Sequence, residues 1–201
     1  DKKSDKTKGG NKTMKHNVFD NEDTRDDVLS HSDRMDILDL AKSKSVEVMK
    51  LFAKYIQAIL DGEVNVHNGY MADFGITQEE LDRTPIAQDN RSYTSYMLSV
   101  AYKGGEAEVL TAIFSCAYSY EVIARRIVEE NPAAPDHPLY GRWVRGYITD
   151  RYTGNNVILK DMLERLTADY TEEQLRYLEE IFTACSRYEA SFWDMAWEER
   201  T

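Results

Sequence analysis

The chain has 201 residues, of which 42% are hydrophobic, and this is enough apolar material for one buried core and one domain. Acidic residues outnumber lysine and arginine by 36 to 25, and the net charge of −11 argues against a nucleic-acid-binding surface. No apolar run approaches the roughly 20 residues that span a membrane, and the charged N-terminal residues lack the apolar segment of a secretory signal. We therefore expect a cytoplasmic protein with neither a nucleic-acid nor a membrane partner.

The N-terminal part divides into two segments of different composition. Residues 1–16, DKKSDKTKGGNKTMKH, are rich in lysine and nearly free of apolar residues, which predicts a solvated polar tail. Residues 17–201 are predicted to form a single helical domain. Its first part, residues 17–43, is acidic, and its thin apolar face leaves open whether it forms a helix.

Helical periodicity begins at Val46, where apolar residues recur every three or four positions as far as Leu60. The pattern Thr77-Gln-Glu-Glu indicates the start of a short helix before Pro85. Tyr93 to Val100 repeats the helical spacing. Glu106 to Glu130 is apolar nearly all round in its first half, which predicts a helix through the middle of the protein.

The C-terminal third contains three further helical patterns. Leu139–Tyr147 and Val157–Leu166 are predicted to be shorter helices, and Thr171-Glu-Glu-Gln is a capping-box pattern that starts the last one. No segment alternates with period two for long enough to indicate a strand. The sequence therefore predicts an all-α bundle.

Cys116 is one of two cysteines in the chain and lies in the central helical pattern. Cys116 and Cys185 show neither a disulfide framework nor a zinc spacing, so we expect two free thiols. Tyr120 follows Cys116 by four residues and lies on the same helix face. Spacing alone leaves two interpretations open: a small core residue packed beside a tyrosine, or a nucleophile with a hydroxyl one turn away.

Glu189 lies on the apolar stripe of the last predicted helix, between Cys185 and Phe192. A carboxylate on an inward face is costly unless it is paired or protonated, and a raised pKa suits a general acid near neutral pH. Two interpretations follow. The carboxyl group is either a structural one satisfied by a neighbouring arginine or tyrosine, or an acid that takes part in chemistry.

Tyrosine occurs 13 times, and five of these residues lie in or beside the apolar stripes: Tyr93, Tyr118, Tyr120, Tyr147 and Tyr188. Several inward hydroxyls would suit a flat heteroaromatic ligand, whereas core tyrosines bonded to backbone carbonyls are the alternative. The four histidines have no metal-ligand spacing, and there is no glycine-rich phosphate loop. We expect neither a metal nor a cofactor.

Five motifs, in this order, resemble the TenA (thiaminase II) family of aminopyrimidine aminohydrolases. The C-terminal motif is the most specific, with the pattern Tyr-Glu-x-x-Phe-Trp-x-Met-Ala. The resemblance covers roughly residues 44–197. The matching pieces are ILDGEVNVHNGYMADFGIT, SYTSYM, FSCAYSYEV, HPLYGRWVRGY and SRYEASFWDMAW.

The resemblance implies a heme-oxygenase-like bundle, a homotetramer and a small-molecule pyrimidine substrate. Family members convert aminomethylpyrimidine, or thiamin, to hydroxymethylpyrimidine in thiamin salvage. By motif position, Cys116 matches the nucleophile and Glu189 the acid/base. Three tyrosines match residues that shape the substrate site: Tyr93, Tyr120 and Tyr147.

The sequence departs from the family at two places. The family's early Asp-x-x-Tyr motif has no clean match between Asn17 and Leu40, and Tyr96 stands where the family often has histidine. Two alternatives to the hydrolase therefore remain: a TenA-like protein that binds a pyrimidine or another heteroaromatic without turnover, and a structural helical bundle that meets a protein partner.

Overall fold

The computed structural model describes residues 42–198, apart from the side chain of Glu63. Within that range it has eight α-helices and no strand, as the periodicity predicts. The predicted tail and most of the acidic segment lie outside the described residues and stay predictions. The helices are α1 Val46–Ala58, α2 Val64–Phe74, α3 Gln78–Arg83, α4 Gln88–Lys103, α5 Glu106–Glu130, α6 Gly141–Tyr147, α7 Asp150–Leu166 and α8 Glu172–Trp197.

The start signals read from the sequence are confirmed at two helices. Thr77 and Thr171 are the N-caps of α3 and α8, and each forms a full capping box in which the side chain three residues later accepts a hydrogen bond from the threonine backbone N–H. The predicted start of α7 at Val157 was wrong. This helix begins at Asp150, after the N-cap Thr149. The sequence did not indicate this start because the first two turns are too polar to show apolar periodicity.

Helix α2 was not predicted as a separate element. A short π-helical segment, Ile59–Glu63, joins it to α1, so the helical chain continues from α1 into α2 without a proline or a clear capping residue between them. The end of α2 does follow a simple rule. Gly75 has φ of 66°, a left-handed backbone conformation that favours glycine after a helix.

Helix α5 is the central element of the described bundle. It packs against α4, α6, α7 and α8, and α8 also packs against α4. Val109, Leu110 and Ala112 are fully buried near its N-terminal end. The surrounding helices leave little of this segment for water, which explains why its sequence is apolar nearly all round.

The expectation that no apolar run is long enough to span a membrane needs correction. Among the described helices, α5 alone passes that test by length and composition. However, 56% of its most apolar window is buried inside the protein. A core helix wrapped by four neighbours passes the same test, so the apolar composition of α5 is accounted for by packing.

Candidate active site

Helices α5 and α8 bring together the thiol and carboxyl group that the sequence singled out. Cys116 and Tyr120 lie one turn apart on α5, and Glu189 lies on the facing stripe of α8 with only 7% of its surface exposed. The Tyr120 hydroxyl donates a hydrogen bond of 2.6 Å to Glu189 Oε1. The Cys116 thiol also faces this carboxyl group as a hydrogen-bond donor. Cys116 and Glu189, which are 73 positions apart in sequence, therefore belong to one polar cluster within the otherwise apolar contact between α5 and α8.

Burial raises the pKa of the Glu189 carboxyl group above its ordinary value of 4.5. The hydrogen bond from Tyr120, together with the nearby Tyr93 hydroxyl and Cys116 thiol, acts in the opposite direction because these groups stabilise the carboxylate, but the desolvation is larger. No arginine or lysine is among the groups that shift this pKa. The structure thus places Glu189 inward, as predicted. The carboxyl group of Glu189 keeps its proton to a higher pH than the carboxyl group of an exposed glutamate.

Tyr93 reaches the same cluster from α4. Its side chain is buried, and its pKa is raised well above 10.0, first by burial and then by the nearby Cys116 and Glu189. The hydroxyl faces Glu189 but does not reach full hydrogen-bond geometry with any group in the described part of the chain. Its ring stacks on Tyr188 of α8, with centroids 5.8 Å apart.

Tyr147, at the C-terminal end of α6, contacts the site through Tyr120. The two ring centroids are 4.8 Å apart. Two tryptophans complete this aromatic group: Trp143 lies 5.8 Å and Trp193 6.0 Å from the Tyr120 ring, centroid to centroid. The Tyr120 ring is therefore held on several sides while its hydroxyl is directed at Glu189.

The sequence reasoning missed Trp143 and Trp193 as site residues. Both were visible in the matched motifs, and their spacing was informative: Trp143 precedes Tyr147 by four residues, and Trp193 follows Glu189 by four. Tyr118 corrects a different expectation. It is 44% exposed and its ring lies against Phe114, so it does not point into the bundle.

The two free cysteines occupy different environments. Cys185 is fully buried on α8, and burial raises the pKa of its thiol to about 12, although a hydrogen bond with Ser115 acts in the opposite direction. Cys116 is only partly buried. Because the thiolate is the nucleophilic form, the raised pKa makes Cys185 poorly suited to react, and Cys116 is the more accessible of the two thiols.

The cluster combines a partly accessible thiol, a buried carboxyl group that tends to hold a proton, and tyrosine hydroxyls that orient it. Such a set can add a sulfur to an electrophilic ring and supply a proton to a leaving group. Residues 42–198 contain no group of three or more potential metal ligands.

These features define an all-α protein with a thiol–carboxyl site between its two longest described helices, surrounded by aromatic rings. The chain belongs to the TENA/THI-4/PQQC family, whose sequence profile matches residues 28–199. It is similar in structure to the TenA homologue protein from P. horikoshii OT3, with a TM-score of 0.72 and 24% identity, over 84% of this chain and 76% of that one. The fold is the heme-oxygenase-like helical fold.

Two relatives carry the name aminopyrimidine aminohydrolase. The protein from Helicobacter pylori is 38% identical over 80% of this chain and 74% of its own length. The protein from Halalkalibacterium halodurans is 35% identical over 83% of this chain and 74% of its own length.

Proposed function

We propose that this protein hydrolyses aminopyrimidines in thiamin salvage, converting aminomethylpyrimidine and water to hydroxymethylpyrimidine and ammonia. The observation that carries the proposal is the cluster of Cys116, Tyr120 and Glu189, with its 2.6 Å hydrogen bond from Tyr120 to Glu189. The similarity to relatives named aminopyrimidine aminohydrolase supports the same substrate class.

In this proposal Cys116 is the nucleophile. Its sulfur adds to a carbon of the electron-poor pyrimidine ring, and the electron pair of the adduct expels the amine from the exocyclic methylene carbon. Water then adds to that methylene carbon, and elimination of the sulfur restores the aromatic ring. The covalent step divides one difficult substitution into two easier ones.

Glu189 is the acid/base of the proposed reaction. In its protonated form it donates to the departing amine, which leaves as ammonia, and the resulting carboxylate accepts a proton from the attacking water. Its raised pKa suits the first step, because the buried carboxyl group keeps its proton closer to neutral pH. The hydrogen bond from Tyr120 to Oε1 fixes the orientation of this carboxyl group.

The three tyrosines have supporting roles in the proposal. Tyr93 and Tyr120 orient the carboxyl group and contribute hydroxyls to the substrate site, whereas Tyr147 supports the Tyr120 ring. Aromatic walls with a few polar tips are suited to a flat heteroaromatic ring.

A second candidate function is pyrimidine binding without turnover. The absence of a clean Asp-x-x-Tyr match between residues 17 and 40 favours it, because that aspartate would contact the aminopyrimidine in the family pattern.

The test is incubation of the protein with aminomethylpyrimidine, and separately with thiamin, followed by chromatographic detection of hydroxymethylpyrimidine. We expect product from aminomethylpyrimidine, and a large loss of product with Glu189→Gln. Saturable binding of hydroxymethylpyrimidine in a calorimeter, with no product from either compound, would establish the binding function instead.

We also propose that the protein is a cytoplasmic homotetramer. Exposed apolar side chains on α5 and α7 support burial between copies, among them Val122, Val157 and Ile158. Size-exclusion chromatography with light scattering tests the assembly: a mass near four chains is expected, and a stable monomer contradicts it.

A further inference from the structure

The backbone carbonyl of Ala117, the residue after Cys116, receives two hydrogen bonds from helix α7. The Tyr152 hydroxyl donates to it at 3.0 Å, and Asn156 Nδ2 donates at 3.1 Å. Within a regular helix such as α5 this oxygen also faces the amide of Glu121, four residues later. The Ala117 carbonyl therefore accepts hydrogen bonds from two α7 side chains in addition to the bond expected within its own helix. These two bonds tether α7 to this turn of α5.

The orientation of the Asn156 amide is fixed by a second acceptor. Asn156 is 5% exposed, and its Nδ2 also donates to Glu121 Oε2 at 2.7 Å. Arg125 Nε donates to the other oxygen of Glu121 at 2.8 Å. Reversing the amide would place its oxygen against the Ala117 carbonyl and a carboxylate, so the Nδ2 group must face α5.

Tyr152 contacts the site by a second route through its ring. The ring meets Tyr147 edge-on, with centroids 4.9 Å apart and planes at 87°. Tyr147 in turn contacts the ring of Tyr120, the donor to Glu189. Helix α7 therefore restrains the turn that carries Cys116 and Tyr120 in two ways: through hydrogen bonds to its backbone and through the ring contact with Tyr147.

We propose that Tyr152 and Asn156 are positioning residues that hold Cys116 and Tyr120 in register with Glu189 through the Ala117 carbonyl. Neither residue is among the sequence-predicted site residues. For its effect on turnover the inference rests on the proposed function, but the geometry of the thiol is testable without substrate. A shift of about 1 Å in reacting groups lowers a rate by up to about 100-fold, so a modest loosening of this turn has a measurable effect.

The test uses Tyr152→Phe, Asn156→Leu and the double variant. Tyr152→Phe keeps the ring on Tyr147 and removes only the hydroxyl. Because either donor alone still holds the carbonyl, each single variant is expected to lower kcat about threefold with KM little changed. The double variant is expected to lower kcat about 30-fold, more than the product of the single effects, because the two donors share one acceptor.

Thr111→Val is the matched control. Thr111 is buried on α5, and its hydroxyl bonds the Ala107 carbonyl at 2.7 Å, so the variant loses a buried side-chain-to-backbone bond on the same helix away from Cys116. We expect unchanged kcat from this control. Wild-type kcat in the double variant, or an equal loss of kcat in Thr111→Val, overturns the inference.

The second readout is the rate at which iodoacetamide alkylates Cys116, measured across pH by intact mass. We expect the double variant to change this rate by at least about fivefold, with Thr111→Val matching wild type. An unchanged alkylation profile in the double variant overturns the inference. If wild type forms no hydroxymethylpyrimidine but the alkylation rates still differ, the proposed function fails while the positioning inference stands.

Discussion

Glu189 is the residue at which folding and the proposed chemistry make opposite demands. Its carboxyl group is removed from water by α5 and α8, and the resulting desolvation outweighs the hydrogen bonds it accepts. Because burial makes the charged form less favourable, it shifts the equilibrium of this carboxyl group toward the protonated form. A group of this kind lowers stability at neutral pH, and a buried carboxyl group with a raised pKa beside a thiol is consistent with an acid/base role.

Glu189→Gln is expected to change how stability depends on pH. Below about pH 4.5 both folded and unfolded states hold the proton. As pH rises from there to the raised pKa of the folded state, the unfolded chain ionises first and the wild-type free energy of unfolding falls. The variant lacks this term, so its stability relative to wild type should increase as pH rises above about 4.5, until the pH passes the raised pKa of the folded state.

Urea unfolding at several pH values measures that difference. Glu180→Gln, at an exposed position on the same helix, is the control for the chemical change from glutamate to glutamine. A stability difference between wild type and Glu189→Gln that stays constant with pH would show that the pKa of the carboxyl group is the same in the folded and unfolded states, and would contradict the raised pKa.

The two thiols are expected to differ sharply in reactivity. Iodoacetamide should add once to the native protein, at Cys116, because Cys185 is fully buried with a pKa of about 12. Intact-mass spectra of Cys116→Ser and Cys185→Ser check the assignment: only the first should stay unlabelled. Labelling of Cys185 before global unfolding would contradict the described packing.

Helix α6 carries two aromatic site residues on a single short element, so its position matters to the site. Gly141 begins this helix, and a Cβ there would collide with the backbone carbonyl of Pro135. Gly141→Ala is expected to cost about 1–3 kcal/mol and to reduce kcat, because the helix must move relative to Tyr120. Thermal unfolding and turnover measure the two effects.

Gly146→Ala on the same helix is the control for that prediction. A Cβ at Gly146 has no neighbour within 4 Å, and alanine favours the helix by about 0.5–1 kcal/mol over glycine. We expect equal or higher stability and unchanged turnover. Equal behaviour of the two alanine variants would mean that the contact with Pro135 does not position α6.

Elements with strong apolar periodicity or a capping box were predictable from sequence, and those governed by other interactions were not. Helix α5 has the bounds read from its sequence, and Thr171 starts α8 as predicted. Helix α2 was missed because a π-helical turn continues the chain from α1 without a local signal. The polar first turns of α7, which contain Tyr152 and Asn156, gain their role only from hydrogen bonds to α5.

The candidate site was predictable only in part for a related reason. The inward stripe indicated Glu189, and motif resemblance singled out Cys116, but the hydrogen bond from Tyr120 to Glu189 joins residues that are 69 positions apart. Sequence spacing identifies neighbours on one helix, whereas the partner across a helix contact depends on how the helices pack.

The whole described bundle depends on α5, which contacts four other helices and carries Cys116 and Tyr120. Leu110 is fully buried near its N-terminal end, away from Cys116. Leu110→Ala is expected to lower the free energy of unfolding by about 2–5 kcal/mol, because the cavity opens where several helices meet. Val157→Ala, at a position 56% exposed, is the control and should change it by less than about 0.5 kcal/mol.

Chemical unfolding followed by circular dichroism measures both variants. A small loss for Leu110→Ala would contradict the central position of α5. Because Leu110 is outside the site, the turnover of the folded fraction is expected to stay near that of wild type.

The most direct test of the proposed reaction is ammonia release from aminomethylpyrimidine by Cys116→Ser, compared with Cys185→Ser. The two changes are chemically identical, and the positions lie on the facing helices α5 and α8. The proposed mechanism predicts a loss of at least about 10³-fold in kcat/KM for Cys116→Ser and a value within about twofold of wild type for Cys185→Ser. Wild-type activity in Cys116→Ser would contradict the assignment of Cys116 as the nucleophile.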